Sequence, residues 1–357
     1  MKFDLNFYNG KRVFVTGHTG FKGSWLCNIL KKAGAEVTGF SLDYPTNPNL
    51  CELAKIEDGM HSVIGDIRCF SALKTAIDES EPEIVFHLAA QPIVRTGYQN
   101  PLYTYETNVM GTVNILECIR LNKGIKSFLN VTTDKVYLNH EWEWGYREDE
   151  ILDGYDPYSN SKSCSELITH SYKNSFFSDD RVSLSTARAG NVIGGGDFAK
   201  DRIIPDCVKA VIQNTPLIIR NPYSIRPYQH VLESLFAYLM IGAKQYEDKK
   251  YAGWYNVGPN EYDCCKTGDL VQLFADCWGP GFSFNITEAS GPHEATFLKL
   301  DCSRIKRKFG WQPVWNLEKA INKTVEWTKI FLNHGNINRC MEKQIDEFLI
   351  DFNRVLL

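Results

Sequence analysis

At 357 residues the chain can build one large core or two modest ones that share an interface. Its 43% hydrophobic, 13% aromatic and 23% charged residues are those of an ordinary soluble globular protein, and a formal net charge of -4 excludes the bulk basic field that non-specific nucleic-acid binding needs. An anionic ligand is then expected to bind only through local groups, such as a helix N-terminus or a few placed arginines.

In chain order, Arg12–Thr16 (RVFVT) reads as a strand and Trp25–Ala33 as a helix. Glu36–Phe40 is a second strand and His61–Ile64 a third, with helical spacing of apolar residues over Phe70–Glu79. Glu83–Leu88 (EIVFHL) has the continuous apolar run of a fully buried strand, as does Ser127–Val131 (SFLNV), and Tyr103–Leu121 between them is predicted to be one helix. This alternation predicts an α/β, Rossmann-type doubly wound parallel sheet, with right-handed crossovers covering both faces. After Ala189 the rhythm changes: Gly194-Gly195-Gly196 and a series of prolines punctuate shorter elements. The expected organisation is a first domain over 1–190, a smaller C-terminal domain over 191–330 interleaved with it around one cleft, and a tail over 331–357, helical from Leu317 onward.

The first strand runs straight into Gly17-His18-Thr19-Gly20-Phe21-Lys22-Gly23, ahead of the first helix. Glycines permit the tight turn and let backbone N–H groups approach a pyrophosphate at the helix N-terminus. Strand before and helix after make a dinucleotide the expected ligand rather than an empty turn. The G-x-x-G-x-x-G spacing resembles the extended short-chain dehydrogenase/reductase family. Asp43, twenty residues past Gly23, is placed to accept from an adenosine 2′-hydroxyl, and no arginine stands nearby for a 2′-phosphate, so NAD is expected over NADP. A solvated loop carboxylate is the competing reading of Asp43. The resemblance implies Asp66 and Ile67 beside the adenine, and Leu88-Ala89-Ala90 offers small residues at the end of the fourth strand, where the cofactor passes the backbone.

Tyr158 and Lys162 stand four apart, on one face of a helix if Pro157 opens it. A phenol with an ordinary pKa of about 10 needs help to act as a base at neutral pH. A neighbouring ammonium and a positive nicotinamide would both favour the phenolate, each unit of depression contributing roughly 1.4 kcal/mol. That suits deprotonating an alcohol as its hydride leaves. Thr132-Thr133-Asp134-Lys135 lies where the fifth strand ends, and in such sheets strand ends face the ligand. Adjacent acid and base side chains there are what a second proton transfer requires; otherwise the segment is a surface turn capped by Asp134.

These residues, with His87-Leu88-Ala89-Ala90-Gln91-Pro92, Trp144-Gly145-Tyr146-Arg147-Glu148, Gly154–Lys162, Arg188–Asp197 and Arg220–Pro227, resemble CDP-glucose 4,6-dehydratases over nearly the whole chain up to about Trp327. The resemblance implies a cycle with no net redox change. Tyr158, helped by Lys162 and Thr133, takes the proton of the sugar 4-hydroxyl while hydride leaves C4 for NAD. Lys135 removes the C5 proton, Asp134 protonates the departing 6-hydroxyl, and hydride returns to C6, giving a 4-keto-6-deoxy sugar nucleotide for surface polysaccharide. Related dTDP- and GDP-sugar dehydratases carry glutamate where this chain has Lys135, and a lysine base must be partly neutral.

Two phosphates of a nucleotide sugar call for cations. Arg220 and Arg226 flank a Pro-rich turn and are the candidates for a clamp, with Gln91, Asn191, Arg202 and His293 as further substrate contacts. No histidine or carboxylate set has metal spacing, so no metal is expected. The eleven scattered cysteines lack any Cys-x-x-Cys pair and suit reduced thiols of a cytoplasmic protein. Met1–Gly10 is polar and aromatic, and no apolar run reaches bilayer length, so neither leader nor membrane partner is expected. The helix predicted over Tyr103–Leu121, with that of Tyr158, is the candidate surface for a homodimer. A nucleotide-sugar 4-epimerase, a dehydratase of a GDP- or dTDP-hexose or a heptose, and a non-catalytic NAD sensor are the competing readings; Asp134-Lys135 argues against the epimerase, and the intact Tyr158, Lys162 and Thr133 argue against the sensor.

Overall fold

The computed structural model describes residues 3–178, 181–287 and 297–356. Seven strands make one parallel sheet: β1 (Arg12–Thr16), β2 (Glu36–Ser41), β3 (His61–Ile64), β4 (Ile84–His87), β5 (Ser127–Thr133), β6 (Ser183–Ala189) and β7 (Trp254–Val257). Their order across the sheet is β3-β2-β1-β4-β5-β6-β7. The order reverses between β1 and β4, so their carboxyl ends open the crevice in which such folds take ligands. Every residue of β4, β5 and β6 is buried, which explains their largely apolar or small-residue runs, with His87, Asn130 and Arg188 the buried polar exceptions.

Alternate side chains of the strands feed two different cores. Phe14, Phe40, Val85, Phe128 and Leu184 pack with helices α2 (Phe70–Ser80) and α3 (Gly111–Leu121) on one face, against Ile168 and Tyr172 of α4 (Pro157–Phe176). Val13, Val15, Ile84, Phe86, Leu129 and Ala187 face the other way, onto α1 (Phe21–Lys32) and a later helix, α6 (Val231–Glu247). A third core is the smaller lobe, where α5 (Ile203–Gln213), α7 (Thr267–Trp278) and α8 (Leu317–Leu332) join through Ile204, Cys207, Leu270, Phe274, Ala320 and Ile321. That lobe is interrupted by α6 and β7, which belong to the sheet layers. The tail helix α9 (Ile337–Val355) buries Met341, Ile345, Phe348 and Phe352 in the same core as α1 and α6.

Three local differences from the sequence reading bear on the site. Helix α1 begins at Phe21 rather than Trp25, directly after Gly20, whose extended backbone (ψ 169°) turns the chain into the first helical residue. The helix predicted over Tyr103–Leu121 is broken: a short helix Pro101–Tyr105 passes through a π turn, Glu106–Met110, before α3 starts. The extra residue of a π turn re-aims neighbouring side chains. Here Asn108 is buried, holding the Gln91 backbone from both sides (2.8 and 3.0 Å) and the Ser161 hydroxyl at 2.9 Å. Strand β5 continues through Thr133, two residues further than its apolar run, because the Thr132 and Thr133 positions still pair with Arg188 and Ala189 of β6.

Candidate active site

The glycine loop is shaped by close approach. Gly17 has φ +79°, and a Cβ there would stand 2.8 Å from the Ala89 nitrogen; a Cβ on Gly23 would lie 2.0 Å from the Gly17 carbonyl. Glycine is therefore required at both, for backbone conformation at the first and for packing of α1 on the loop at the second. Thr19 ties the loop to the end of β2 through the Ser41 hydroxyl (2.8 Å) and the Leu42 carbonyl (3.0 Å). Thr16 accepts from the Leu88 and Ala89 N–H groups, both at 3.1 Å, which joins the ends of β1 and β4. No side chain caps Gly20 at the start of α1. Its first N–H groups thus line a cradle of the kind that receives a pyrophosphate, and the residues fit a dinucleotide.

Around that cradle the expected cofactor residues differ in environment. Asp43 is exposed and accepts from the neighbouring Tyr44 N–H at 2.8 Å. Asp66 is bound by Arg68 (2.7 Å), which also reaches Glu106 at 3.0 Å, and the guanidinium holds the Asp66 carboxyl below its ordinary range. Asp66, Arg68, Cys69, Glu106 and Met110 line an open depression of about 410 Å³, and Ile67, next to Asp66 in sequence, is buried. Ala90, three residues past the end of β4, is half-buried. Lys22 and Phe21 are half-buried. Burial first, then Arg202 and Lys162, pushes the Lys22 ammonium down to about 7 against the pull of Asp134 and Asp197, so Lys22 shares one electrostatic neighbourhood with the strand-end residues.

Helix α4 is started by Asp156, whose carboxylate accepts from the Tyr158 and Ser159 N–H groups (3.0 and 3.1 Å), with Pro157 in the first turn. Tyr158 and Lys162 then share its buried face, at 9% and 5% exposure. Lys162 donates to the Val131 carbonyl at 3.1 Å, which fixes the ammonium against the end of β5. Burial is the main influence on the Tyr158 phenol and pushes it up to about 12; the Thr133 hydroxyl and Arg202 pull it down, and Asp134 and Asp156 push it further up. The depression expected from the neighbouring ammonium is therefore absent from the ligand-free protein: the groups that lower the phenol are Thr133 and Arg202, and desolvation outweighs them. Lys162 itself is pushed down to about 8 by burial, opposed by Glu166.

At the corner after β5, Thr133 donates to one Asp134 oxygen at 3.0 Å, and the Lys135 ammonium lies 3.8 Å from that same oxygen. The other Asp134 oxygen is buried without a hydrogen-bond partner among the described residues. Lys135 is partly exposed, Asp134 almost wholly buried. The structure thus brings Thr133, Asp134, Lys135, Tyr158 and Lys162 to one strand end, with Lys22 and Arg202 beside them.

The expected substrate contacts are less uniform. Arg202 pairs with Asp197 at 2.9 Å and acts on Tyr158. Asn191 bonds the Tyr228 hydroxyl. Gln91, expected among the substrate contacts, has both ends of its amide bonded within the protein, to Thr104 (2.9 Å) and to the Ile93 N–H (2.6 Å). Arg220 is exposed, whereas Arg226 is buried in a short antiparallel pair with Cys265 and donates to the Ile225 carbonyl at 3.0 Å. The two arginines thus occupy different environments rather than a shared fork. His293 lies outside the described residues.

Sequence reasoning missed Glu166 and Arg188, both fully buried and paired at 2.9 Å. Glu166 also accepts from Thr132 (2.5 Å) and Thr186 (2.6 Å), and Arg188 donates to the Tyr137 hydroxyl (2.8 Å) and the Glu148 carbonyl (2.9 Å). The available signal was spacing: Glu166 lies one helical turn past Lys162. Among the described residues no cluster of metal-ligating side chains occurs, and no helix is long and apolar enough to cross a membrane.

Comparison with known proteins places these features in context. A family model described as GDP-mannose 4,6 dehydratase matches residues 14–324. The chain is 48% identical over 352 residues to a CDP-glucose 4,6-dehydratase of Salmonella typhimurium, covering 97% of this chain and 98% of that protein. Its fold is similar to a crystal structure of dTDP-glucose 4,6-dehydratase from Bacillus anthracis in complex with NAD (TM-score 0.73, 22% identity, 89% of this chain and 96% of that one). It is likewise similar to UDP-glucose 4-epimerase of Thermotoga maritima with UDP-glucose (TM-score 0.78, 21% identity, 90% and 99%).

Proposed function

The chain belongs to the GDP-mannose 4,6-dehydratase family, and from that premise we propose that it is an NAD-dependent CDP-glucose 4,6-dehydratase forming CDP-4-dehydro-6-deoxyglucose. The observation that carries this reading is the corner after β5, where Asp134 and Lys135 stand beside Tyr158 and Lys162. Oxidation alone needs only the last two. The near full-length similarity to a CDP-glucose 4,6-dehydratase supports the choice of substrate.

Bound NAD supplies a reversible hydride acceptor. The protein's own residues move the protons. Tyr158, hydrogen-bonded with the Thr133 hydroxyl and on one helix face with Lys162, takes the proton of the 4-hydroxyl. The 4-ketone so formed acidifies the C5 proton, which Lys135 removes. The buried, unpartnered oxygen of Asp134 delivers a proton to the departing 6-hydroxyl. Asp43, Asp66, Ile67 and the loop Gly17–Gly23 hold the dinucleotide, and Arg202, Arg220, Arg226 and Asn191 hold the nucleotide sugar. The expected organisation is a domain over 1–190 for NAD and a lobe within 191–330 for the sugar nucleotide. The enzyme works in the cytoplasm as a homodimer. Leu102, Met110 and Leu167, at 69%, 51% and 51% exposure on and beside the helices that flank Tyr158, support such an interface.

Incubation with NAD and a panel of CDP-, dTDP-, GDP- and UDP-hexoses, followed by mass spectrometry, tests the reading. Loss of one water from CDP-glucose in preference to the others is expected. An epimerised product of unchanged mass would replace the dehydratase reading with the epimerase one.

A further inference from the structure

Four titratable side chains recur at one-turn intervals along α4: Tyr158, Lys162, Glu166 and His170. The first two belong to the proposed chemistry. The third is fully buried and does not face the substrate corner, so its charge requires a separate reason. Isolated carboxylates are not retained in dry surroundings without partners.

Glu166 has those partners, and their placement is informative. Thr132 donates to one oxygen; Thr186 and Arg188 donate to the other, with His170 3.4 Å away. Burial works against the charge, yet Arg188 and these hydrogen bonds hold the Glu166 carboxyl well below the ordinary carboxylate range, so it is an anion throughout the working pH range. Lys162 and Glu166 grip consecutive residues of β5, the Val131 carbonyl and the Thr132 hydroxyl. The next residue is Thr133, which orients Asp134. Around the Lys162 ammonium the other titratable groups give it no support. His87 on β4 is held neutral by burial, down to about 3, and Lys22 on α1, brought down to about 7 by burial, offers no negative charge. Among the groups acting on Lys162, burial lowers it and Glu166 alone raises it.

Resting on the dehydratase reading, we propose that Glu166, anchored by Arg188, is a positioning residue for the chemistry: its carboxylate, one helical turn from Lys162, supports the ammonium and holds the Thr132–Asp134 corner against the helix that carries Tyr158. Lys162 in turn favours the Tyr158 phenolate only while it carries its charge. Glu166 therefore acts on the 4-hydroxyl proton through Lys162, without touching substrate.

The test uses Glu166→Gln and the double variant Glu166→Gln/Arg188→Met, which removes the arginine charge that the single variant would leave unpaired. Lys162 is titrated in the intact ligand-free protein by competitive acetic anhydride labelling against pH, read by peptide mass spectrometry relative to the exposed Lys250. In parallel, reduced-cofactor formation with NAD and CDP-glucose is followed against pH. In both variants the Lys162 midpoint is expected to fall by about one unit, a tenfold change of the size a single nearby charge exerts in a partly buried site. The alkaline limb of cofactor reduction should move with it. An unshifted midpoint in the folded double variant would overturn the proposal. So would a shift confined to the single variant, since that assigns the effect to the orphaned arginine. If wild-type protein with NAD removes no water from CDP-glucose, the dehydratase reading fails, and the labelling arm still decides whether Glu166 sustains the charge on Lys162.

Discussion

Replacing Tyr158 by Phe removes one oxygen from a side chain that is only 9% exposed, while the Asp156 cap on its N–H and the packing of its ring are unchanged. In the ligand-free protein burial holds the phenol at about 12. Relative to an ordinary phenol near 10, that disfavours ionisation by roughly 3 kcal/mol. A unit positive charge about 5 Å away, at an effective dielectric constant of 20, contributes roughly 3 kcal/mol in the opposite direction. Binding of a cationic nicotinamide is thus about sufficient to cancel the desolvation, and it couples deprotonation of Tyr158 to an occupied cofactor site. Without the oxygen no described group is placed to take over, so turnover should fall by about 10³ to 10⁴-fold, the upper part of the range for a positioned base. Water loss from CDP-glucose, read by mass spectrometry, measures the rate, and equilibrium binding of NAD should change by no more than about twofold. A Tyr158→Phe variant that keeps a tenth of wild-type turnover would refute Tyr158 as the base.

Three further outcomes follow from particular geometry. Asp134→Asn keeps the shape of the corner and removes its acid. Water loss should fall by about 100-fold or more, while cofactor reduction and exchange of the C5 proton into deuterated solvent continue; a parallel loss of the reduction step would remove Asp134 from the elimination. Glu233 is fully buried, accepts from the Val314 and Trp315 N–H groups, and is raised by burial to about 8. Because its folded value lies above its unfolded one, the cost of keeping it protonated begins near pH 4.5 and grows up to about pH 8. Glu233→Gln should therefore stabilise the protein by about 3 kcal/mol at pH 7 and not at all near pH 4. Equal shifts in thermal midpoint at both pH values would contradict that cause. Gly17→Ala places a Cβ 2.8 Å from the Ala89 nitrogen at φ +79° and should cost about 1–3 kcal/mol of stability, with at least tenfold weaker NAD binding by fluorescence titration.

Much of the fold was legible because the strands carry their own signal. Arg12–Thr16 and His61–Ile64 keep the limits read from sequence, and the central runs are apolar because both faces of the sheet are covered. What was not legible depended on partners far along the chain. The end of β5 at Thr133 is set by pairing with Ala189, which no local propensity for Thr-Thr reveals. The π turn in Glu106–Met110 serves Asn108, whose targets are Gln91 and Ser161, and its apolar periodicity still looks helical. The interruption of the smaller lobe by α6 and β7 is likewise a matter of topology. Val231–Glu247 is buried along nearly its whole length, so its sequence has no polar stripe to show which layer it joins.

For the site, the same contrast separates residues that are neighbours in sequence from those that meet only after folding. Asp134 and Lys135 are adjacent and follow a strand, so their shared corner could be read directly; Tyr158 and Lys162 share a helix face by spacing. Arg220 and Arg226 are also close in sequence, but the fold gives them different surroundings. One follows a three-residue strand into solvent, and the other is folded under by pairing of Ile225-Arg226 with Cys265-Lys266. Glu166 could be placed on the Lys162 face from spacing, yet its significance depends on Arg188, which reaches it from β6. A buried acid one turn below a catalytic lysine is a defect if unpaired and a support if paired. Only the fold distinguishes them, because the arginine that neutralises Glu166 must come from another element while leaving Lys162 its own charge.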